Sequence, residues 1–218
     1  MSDGATGTDR DLVEYVRART RLDDAFLSEL KREARAAEIP AIWVAEEQAV
    51  LIAVLLRSMG ARRVVEVGTL AGSTAIAMAR ALEAGGRVDT IEISPVHAAF
   101  ARTWVARSDV ADRVVVHEGA ASDVLPGLED GAYDAMLVDA DKSGYADYLA
   151  HARRLLRPHG LLLVDNAFAF GHVLEANTAD RDVAAVRSFN DLAARQDWLR
   201  AVIVPIGDGM WVGTKEAT

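Results

Sequence analysis

The sequence predicts an α/β protein built on one mostly parallel sheet with helices on both faces. Three observations lead to this prediction. Short apolar runs typical of buried strands alternate with longer segments of helical periodicity. A glycine-bearing turn follows the first run, and two β-like runs joined by a glycine-rich connection close the chain. We therefore expect seven strands, the last of them antiparallel, in a single domain over residues 1–218.

Residues 1–40 are predicted to form a helical extension ahead of the sheet. Apolar residues recur at helical spacing in residues 11–19 and 23–37, and an aspartate lies near the start of each segment. We expect these helices to pack on the domain or on another subunit, because apolar stripes on helices usually face a core. A third helix is predicted over residues 46–59, where Gly60 ends it.

The first strand is predicted over residues 64–68, and residues 69–74 form the turn that opens a helix reaching about residue 84. Glycine lets the backbone of this turn approach a ligand closely, and the helix offers free N–H groups. A glycine at such a turn also serves tight packing. The turn alone therefore does not decide whether a nucleotide-like ligand binds.

The second strand, residues 87–92, ends in Glu92. A carboxylate at this position can accept hydrogen bonds from both hydroxyls of an adenosine ribose. Ser94 and Pro95 then start the next helix, as its cap and first-turn residue. Glu92 has an alternative role as a partner of that helix dipole, because the helix begins beside it.

A third strand is predicted over residues 113–117, and the small residues 119–122 after it leave room for a flat ring. The fourth strand, residues 135–139, is apolar and ends in an aspartate. A helix is expected from residue 144 to about 156, followed by a stop at residues 158–160. These elements continue the alternation of strand and helix.

The fifth strand, residues 161–164, precedes Asp165 and Asn166. Residues 199–205 and 210–214 form the closing hairpin, so the last strand is expected to be antiparallel. No further helix is predicted between these strands.

Chemically active side chains follow the fourth and fifth strands. Asp139, Asp141 and Lys142 end the fourth, and Asp165 and Asn166 end the fifth. The carboxyl ends of parallel strands meet at one edge of a sheet, where ligands bind, so we expect these side chains to converge. Helix capping is the simpler alternative for any one of them. Capping readily explains one such residue, but it does not explain why Asp139, Asp165 and Asn166 occur together with a lysine.

Composition excludes several classes of function. The net charge of −9 argues against nucleic acid or an anionic membrane as the main partner, because both require a basic surface. The absence of cysteine excludes disulfides and thiolate chemistry. The polar start does not have the pattern of a secretory signal, and no apolar run is long enough to span a bilayer. A soluble cytoplasmic protein with a small-molecule substrate is therefore expected.

The motifs resemble those of the cation-dependent O-methyltransferases of the catechol and caffeoyl-CoA type, including their bacterial members. The resemblance covers nearly the whole chain, and Asp-Ala-Asp-Lys followed by Val-Asp-Asn is its most specific part. The matching segments are residues 64–72, 138–142, 145, 157–166, 189–190 and 205–209. The resemblance implies a Rossmann-like class I methyltransferase fold and a homodimer.

The resemblance also implies the reaction, a methyl transfer from S-adenosylmethionine to a hydroxyl of a catechol-like molecule chelated by a metal. It implies metal ligation by Asp139, Asp165 and Asn166, and proton abstraction by Lys142, with Asp139 beside it in the catalytic group. Oxygen ligands of this kind suit Mg²⁺ or another hard divalent cation. The implied cofactor contacts are Val44, Glu66, Gly68, Thr69, Thr74, Glu92, Ala121, Asp139 and Asp141.

Two departures from the family pattern concern the pocket. Ser73 and Thr74 stand where the family usually has Tyr and Ser, so an aromatic wall is lost while a hydroxyl is kept. Ala169 stands where the family tends to have Trp. We therefore expect catechols with bulky substituents to be accepted.

Two other functions remain as alternatives. An NAD(P)-dependent oxidoreductase would also place an acid after a glycine turn, but the Gly-x-Gly-x-x-Gly pattern is absent. Tyr145 and Tyr148 are also not followed, four residues later, by the lysine of short-chain dehydrogenases. The other alternative is a non-catalytic nucleotide-binding module.

Overall fold

The fold is one seven-stranded sheet in the computed structural model, which describes residues 10–20, 23–175 and 178–217. The strands are β1 (Arg63–Val67), β2 (Arg87–Glu92), β3 (Val114–Glu118), β4 (Tyr133–Val138), β5 (Leu156–Val164), β6 (Leu199–Val204) and β7 (Met210–Lys215). Their order is β3-β2-β1-β4-β5-β7-β6. Only β7 runs antiparallel to its neighbours, which confirms the predicted closing hairpin.

Helices cover both faces of this sheet, as predicted. They are α1 (Arg10–Arg17), α2 (Ala25–Ala36), α3 (Glu46–Ser58), α4 (Ser73–Ala81), α5 (Pro95–Arg107), α6 (Ala121–Val124), α7 (Tyr145–Leu155) and α8 (Arg181–Ala194). Successive residues of a strand point to opposite faces. Val64 therefore joins an apolar cluster with α2 to α5, and Val65 joins a second cluster with α6 to α8. The predicted packing role of segment 23–37 is confirmed, because Leu27 and Leu30 of α2 are buried in the first cluster.

The predicted stop at residues 158–160 is wrong, because these residues lie inside β5. The strand begins at Leu156, opposite Tyr133, and its register then shifts before the regular pairing of Ala135 with Leu161. The irregularity accommodates His159, whose φ is +61°. Strand β5 therefore continues through Pro158 and Gly160, with a bulge at this point.

Helix α8 was not predicted from the sequence. Asp180 caps it, and the side chain of Asp180 accepts hydrogen bonds from the backbone N–H groups of Asp182 and Val183 at 2.8 and 3.3 Å. Val183, Val186 and Phe189 are buried at helical spacing, which was the available signal. Within the described residues, no helix is long and apolar enough to cross a membrane.

Candidate active site

A cavity of about 1290 Å³ lies along the edge where β1, β2, β4 and β5 end. Most of the residues singled out from the sequence line it, and the side chains that follow the fourth and fifth strands lie together there, as predicted. The lining residues of this set are Gly68, Thr69, Thr74, Glu92, Ala121, Asp139, Asp141, Lys142, Asp165 and Asn166. Val44 and Glu66 are buried and lie outside the lining.

The glycine turn brings the ends of β1 and β4 together. Gly68 has a φ of +100°, and a Cβ there would overlap the backbone carbonyl oxygen of Asp139. The backbone N–H of Asp139 donates to the carbonyl oxygen of Val67 at 2.9 Å. Glycine is therefore required at position 68 for conformation and for space, which places Asp139 beside the turn.

Glu92 is anchored by two backbone N–H groups. Its carboxylate accepts a hydrogen bond from Leu70 N at 2.7 Å and another from Ser94 N at 2.9 Å. Ser94, and not Glu92, caps α5 through its side chain. Each oxygen of Glu92 keeps a further acceptor position, and the residue lines the cavity.

Glu66 is connected to the glycine turn by hydrogen bonds through Thr90. Thr90 Oγ1 donates to its carboxylate at 2.5 Å, and Thr90 Oγ1 lies 2.6 Å from Thr69 Oγ1. When Glu66 is ionised, Thr90 donates to it and Thr69 donates to Thr90; a protonated Glu66 can donate to Thr90 instead. Burial raises the pKa of Glu66 to about 8, against the lowering effect of the bond from Thr90.

Lys142 lies among acceptors at the edge of the sheet. Its Nζ donates to Asn166 Oδ1 at 2.6 Å, Tyr145 Oη at 2.7 Å and the Ala140 carbonyl oxygen at 3.1 Å, and it lies 4.0 Å from Asp139 Oδ1. Burial lowers the pKa of Lys142, although Asp139 and other nearby carboxylates raise it. The amine is therefore closer to losing its proton than an exposed lysine.

Asp165 is a buried carboxylate and Asp139 a half-buried one, and they oppose each other's ionisation. The pKa of Asp139 is raised to about 7, mainly by burial and also by the charge of Asp165, although Lys142 lowers it. Burial also raises the pKa of Asp165, although hydrogen bonds from Asn166 N and Gln48 Nε2, both at 2.7 Å, favour its charged form. A cation between these carboxylates would offset both the burial of their charges and the repulsion between them.

Asp141 is held in its ionised form by neighbouring donors. Burial raises its pKa, but hydrogen bonds from Ser143, Tyr148 and Gly144 outweigh burial, and the pKa lies below its usual value. Tyr148 Oη donates at 2.6 Å, and a Cβ at Gly144 would overlap the Tyr148 ring. These contacts fix a charged carboxylate on the cavity wall.

The oxygens at the ends of β4 and β5 fit a hard divalent cation. Asp139, Asp165 and Asn166 supply two carboxylates and one amide oxygen, the ligand types preferred by Mg²⁺. Asn166 Oδ1 already faces a positive group, the Lys142 amine. In the described residues no three His, Cys, Asp or Glu side chains lie together as a metal site, so a set of three ligands at this edge would have to include the amide of Asn166.

Two residues of the site were missed by sequence reasoning. Gln48 of α3 is buried and donates to Asp165, and Asp208 of the β6–β7 turn accepts from Asn166 Nδ2 at 3.2 Å. Gln48 gave no signal, because nothing within the predicted helix 46–59 distinguishes it. Asp208 lies in the segment 205–209 that resembles the family, but no sequence pattern assigned it a role.

The structure also revises the interpretation of position 169. Ala169 is buried in a small apolar cluster with Val183 and Val186 and does not line the cavity. Phe170 does line it, with 73% of its surface exposed. The neighbouring aromatic residue, and not the small one, therefore forms this part of the rim.

Comparison with known proteins identifies the family of this chain. The sequence pattern of the O-methyltransferase family matches residues 17–216 of this chain. The chain belongs to the O-methyltransferase family. It is 38% identical to a catechol O-methyltransferase of Niastella koreensis over 89% of this chain and 86% of that protein. It is also 38% identical to a catechol O-methyltransferase of Mycobacterium tuberculosis, over 88% and 87%.

The fold is also that of solved O-methyltransferase structures. An O-methyltransferase from Bacillus cereus in complex with S-adenosylhomocysteine superposes with a TM-score of 0.87 and 31% identity. The match covers 94% of this chain and 97% of that one. The Rossmann-like methyltransferase fold predicted from the sequence is therefore confirmed.

Proposed function

We propose that the protein transfers a methyl group from S-adenosylmethionine to a hydroxyl of a catechol-like small molecule, with the help of a divalent cation such as Mg²⁺. The observation that carries this proposal is the convergence of Asp139, Asp165, Asn166 and Lys142 on one wall of the cavity. Family membership supplies the reaction class. The catechol O-methyltransferase names of two relatives support the substrate class.

The cofactor would lie along the glycine turn. Gly68 allows its close approach, and Glu92 offers acceptor positions for the ribose hydroxyls. Ala121, at the start of α6, leaves room for the adenine ring. The fixed carboxylate of Asp141 provides a negative charge for the positive end of the cofactor. When bound, S-adenosylmethionine supplies a methyl group on a positively charged sulfur.

Asp139, Asp165 and Asn166 would hold the cation. When bound, the cation would chelate two adjacent hydroxyls of the acceptor and lower the pKa of the hydroxyl that is methylated. The protein contributes a fixed geometry: Gln48 and the Asn166 backbone N–H hold Asp165, while the glycine turn holds Asp139. Positioning of this kind supplies several kcal/mol of a reaction barrier, of the order of effective-molarity effects.

Lys142 would accept the proton of the attacking hydroxyl at its Nζ. Burial already lowers the pKa of this amine, so its neutral form is more accessible than in water. Bonds to the Ala140 carbonyl oxygen and to Tyr145 Oη aim the amine at the end of β4 and β5. Tyr145 is itself fixed, because its hydroxyl donates to the carbonyl oxygen of Asp165 at 3.0 Å.

The acceptor would enter past Trp43 and Phe170, which line the cavity together with Lys142. An exposed aromatic ring at the rim suits a flat phenolic ring. The expected homodimer and the cytoplasmic location remain predictions from the sequence. Family membership gives no support to the oxidoreductase alternative.

The proposal is tested by incubating the protein with labelled S-adenosylmethionine and a panel of catechols. EDTA should abolish transfer and Mg²⁺ should restore it. Asp165→Ala should behave like chelation while S-adenosylhomocysteine still binds, because Asp165 lies at the metal end of the cavity. Transfer that persists in EDTA would contradict the metal role, and binding of NAD without S-adenosylhomocysteine would contradict the methyltransferase reaction.

A further inference from the structure

The side-chain amide of Asn166 lies between two groups of opposite hydrogen-bonding character. Its Oδ1 accepts from Lys142 Nζ at 2.6 Å, and its Nδ2 donates to Asp208 Oδ2 at 3.2 Å. An ammonium can only donate, and an ionised carboxylate can only accept. Only one of the two amide orientations therefore satisfies both neighbours.

Asp208 also holds the backbone of the loop after β5. Its carboxylate oxygens lie 2.8 and 2.9 Å from Phe170 N, and its carbonyl oxygen accepts from Phe168 N at 2.9 Å. Asn166, Ala169 and Phe170 have φ values of +61°, +48° and +55°. Residues other than glycine rarely adopt this conformation and need surrounding contacts to maintain it. Asp208 supplies such a contact at Phe170.

The hairpin turn that carries Asp208 is itself closely packed. A Cβ at Gly207 would overlap the side chain of Gln48, and a Cβ at Gly209 would lie 2.8 Å from the Phe168 ring. Ala167 N donates to the Gly209 carbonyl oxygen at 2.9 Å. The turn therefore has little freedom to move, and the Asp208 carboxylate is fixed relative to Asn166.

We propose that Asp208 is a positioning residue for the metal site, which orients the amide of Asn166 so that its oxygen faces the cation. This inference rests on the proposed function, because it takes Asn166 as a ligand. The bond from Nδ2 to Asp208 is on the opposite end of the amide from the cation, so it persists whatever group faces Oδ1. Polar groups behind metal ligands typically change metal affinity by about 10- to 100-fold when removed.

The test compares Mn²⁺ binding by electron paramagnetic resonance in the wild-type protein and in Asp208→Asn. Asparagine has the same shape but can either donate or accept, so it no longer selects one orientation of Asn166. Mn²⁺ binding should weaken by about 10- to 100-fold. The Kd for S-adenosylhomocysteine and the thermal midpoint should stay nearly unchanged, which separates positioning from a structural role.

Asp182→Asn is the matched control. Asp182 lines the same cavity and, like Asp208, raises the pKa of Lys142 through its charge. Its side chain makes no hydrogen bond within the described part of the chain. The control removes the same charge without touching Asn166, and it should change Mn²⁺ affinity by less than about threefold because its charge is exposed and screened.

A second comparison repeats Asp208→Asn in an Asn166→Asp background. A carboxylate has two equivalent oxygens and needs no orientation, so Asp208→Asn there removes only a negative charge. Mn²⁺ binding should then weaken clearly less than it does when Asn166 is present. Equal weakening in both backgrounds, or by both Asp208→Asn and Asp182→Asn, would overturn the inference.

The result for the wild-type protein separates the two proposals. If it binds Mn²⁺ and Asp208→Asn binds equally well, the positioning role fails and the proposed function stands. If the wild-type protein does not bind Mn²⁺, the metal role fails, and the inference fails with it.

Discussion

Replacing Glu66 by glutamine should make the stability of the ligand-free protein less dependent on pH. In the unfolded chain Glu66 ionises near pH 4.5, whereas burial in the folded protein raises its pKa to about 8. Between these values the folded state binds one more proton than the unfolded state. Stability therefore falls as pH rises from about 4.5 to about 8, and glutamine, which does not titrate, removes this contribution.

The size of the effect follows from the pKa difference, which is about 3.5. Each pH unit within this window lowers the free energy of unfolding by about 1.4 kcal/mol, and the whole window by at most about 5 kcal/mol. Relaxation around the buried group reduces this figure. At pH 8 the free energy of unfolding of the variant should therefore exceed that of the wild-type protein by roughly 2 to 4 kcal/mol, below that limit.

Urea unfolding at several pH values between 5 and 8, in EDTA and without cofactor, measures this difference. Glu83→Gln is the control, because Glu83 is exposed and makes no side-chain hydrogen bond in the described residues. The wild-type slope also contains Asp139 and Asp165, so only the difference between variant and wild type is informative. Parallel curves for Glu66→Gln and the wild type would refute the reasoning and show that Glu66 is ionised in the folded protein.

Three further predictions concern the cofactor, the glycine turn and the acceptor. Glu92→Ala should weaken S-adenosylhomocysteine binding in calorimetry by about 1 to 3 kcal/mol, because hydrogen bonds to a charged acceptor are lost; an unchanged Kd would limit Glu92 to holding Leu70 and Ser94. Gly68→Ala should lower the thermal midpoint strongly, because its Cβ would overlap the Asp139 carbonyl oxygen; an unchanged midpoint would contradict this. Phe170→Ala should raise KM for a catechol, because an aromatic ring at the rim of the cavity is lost; an unchanged KM would contradict a role of Phe170 in binding the acceptor.

The sheet could be predicted because each strand carries its own local signal. The apolar run 135–138 ends abruptly at Asp139, and the run ending at Val164 does the same before Asp165. Parallel pairing then brings these ends together without further information. The bulge in β5 could not be predicted, because Pro158 and Gly160 are typical of turns and only pairing with β4 keeps them in the strand.

The supporting residues of the site could not be predicted, because their role depends on contacts between distant parts of the chain. Gln48 and Asp165 are 117 positions apart, and Asn166 and Asp208 are 42 apart. Neither Gln48 nor Asp208 belongs to a pattern with a fixed spacing to its partner. Candidates for ligand contact can thus be recognised at strand ends, whereas the residues that orient them become visible only in the folded structure.

The most direct test of the proposed reaction is the kcat of Lys142→Ala and Lys142→Arg across pH 6 to 9, with labelled S-adenosylmethionine, Mg²⁺ and a catechol. Arginine keeps the positive charge but does not give up its proton, so it cannot replace a base. Both variants should lose about 10²- to 10⁴-fold in kcat, the range for a lost general base, while still binding S-adenosylhomocysteine. Wild-type kcat in either variant across this range would show that Lys142 serves only as a charge partner of Asp139 and a hydrogen-bond donor to Asn166.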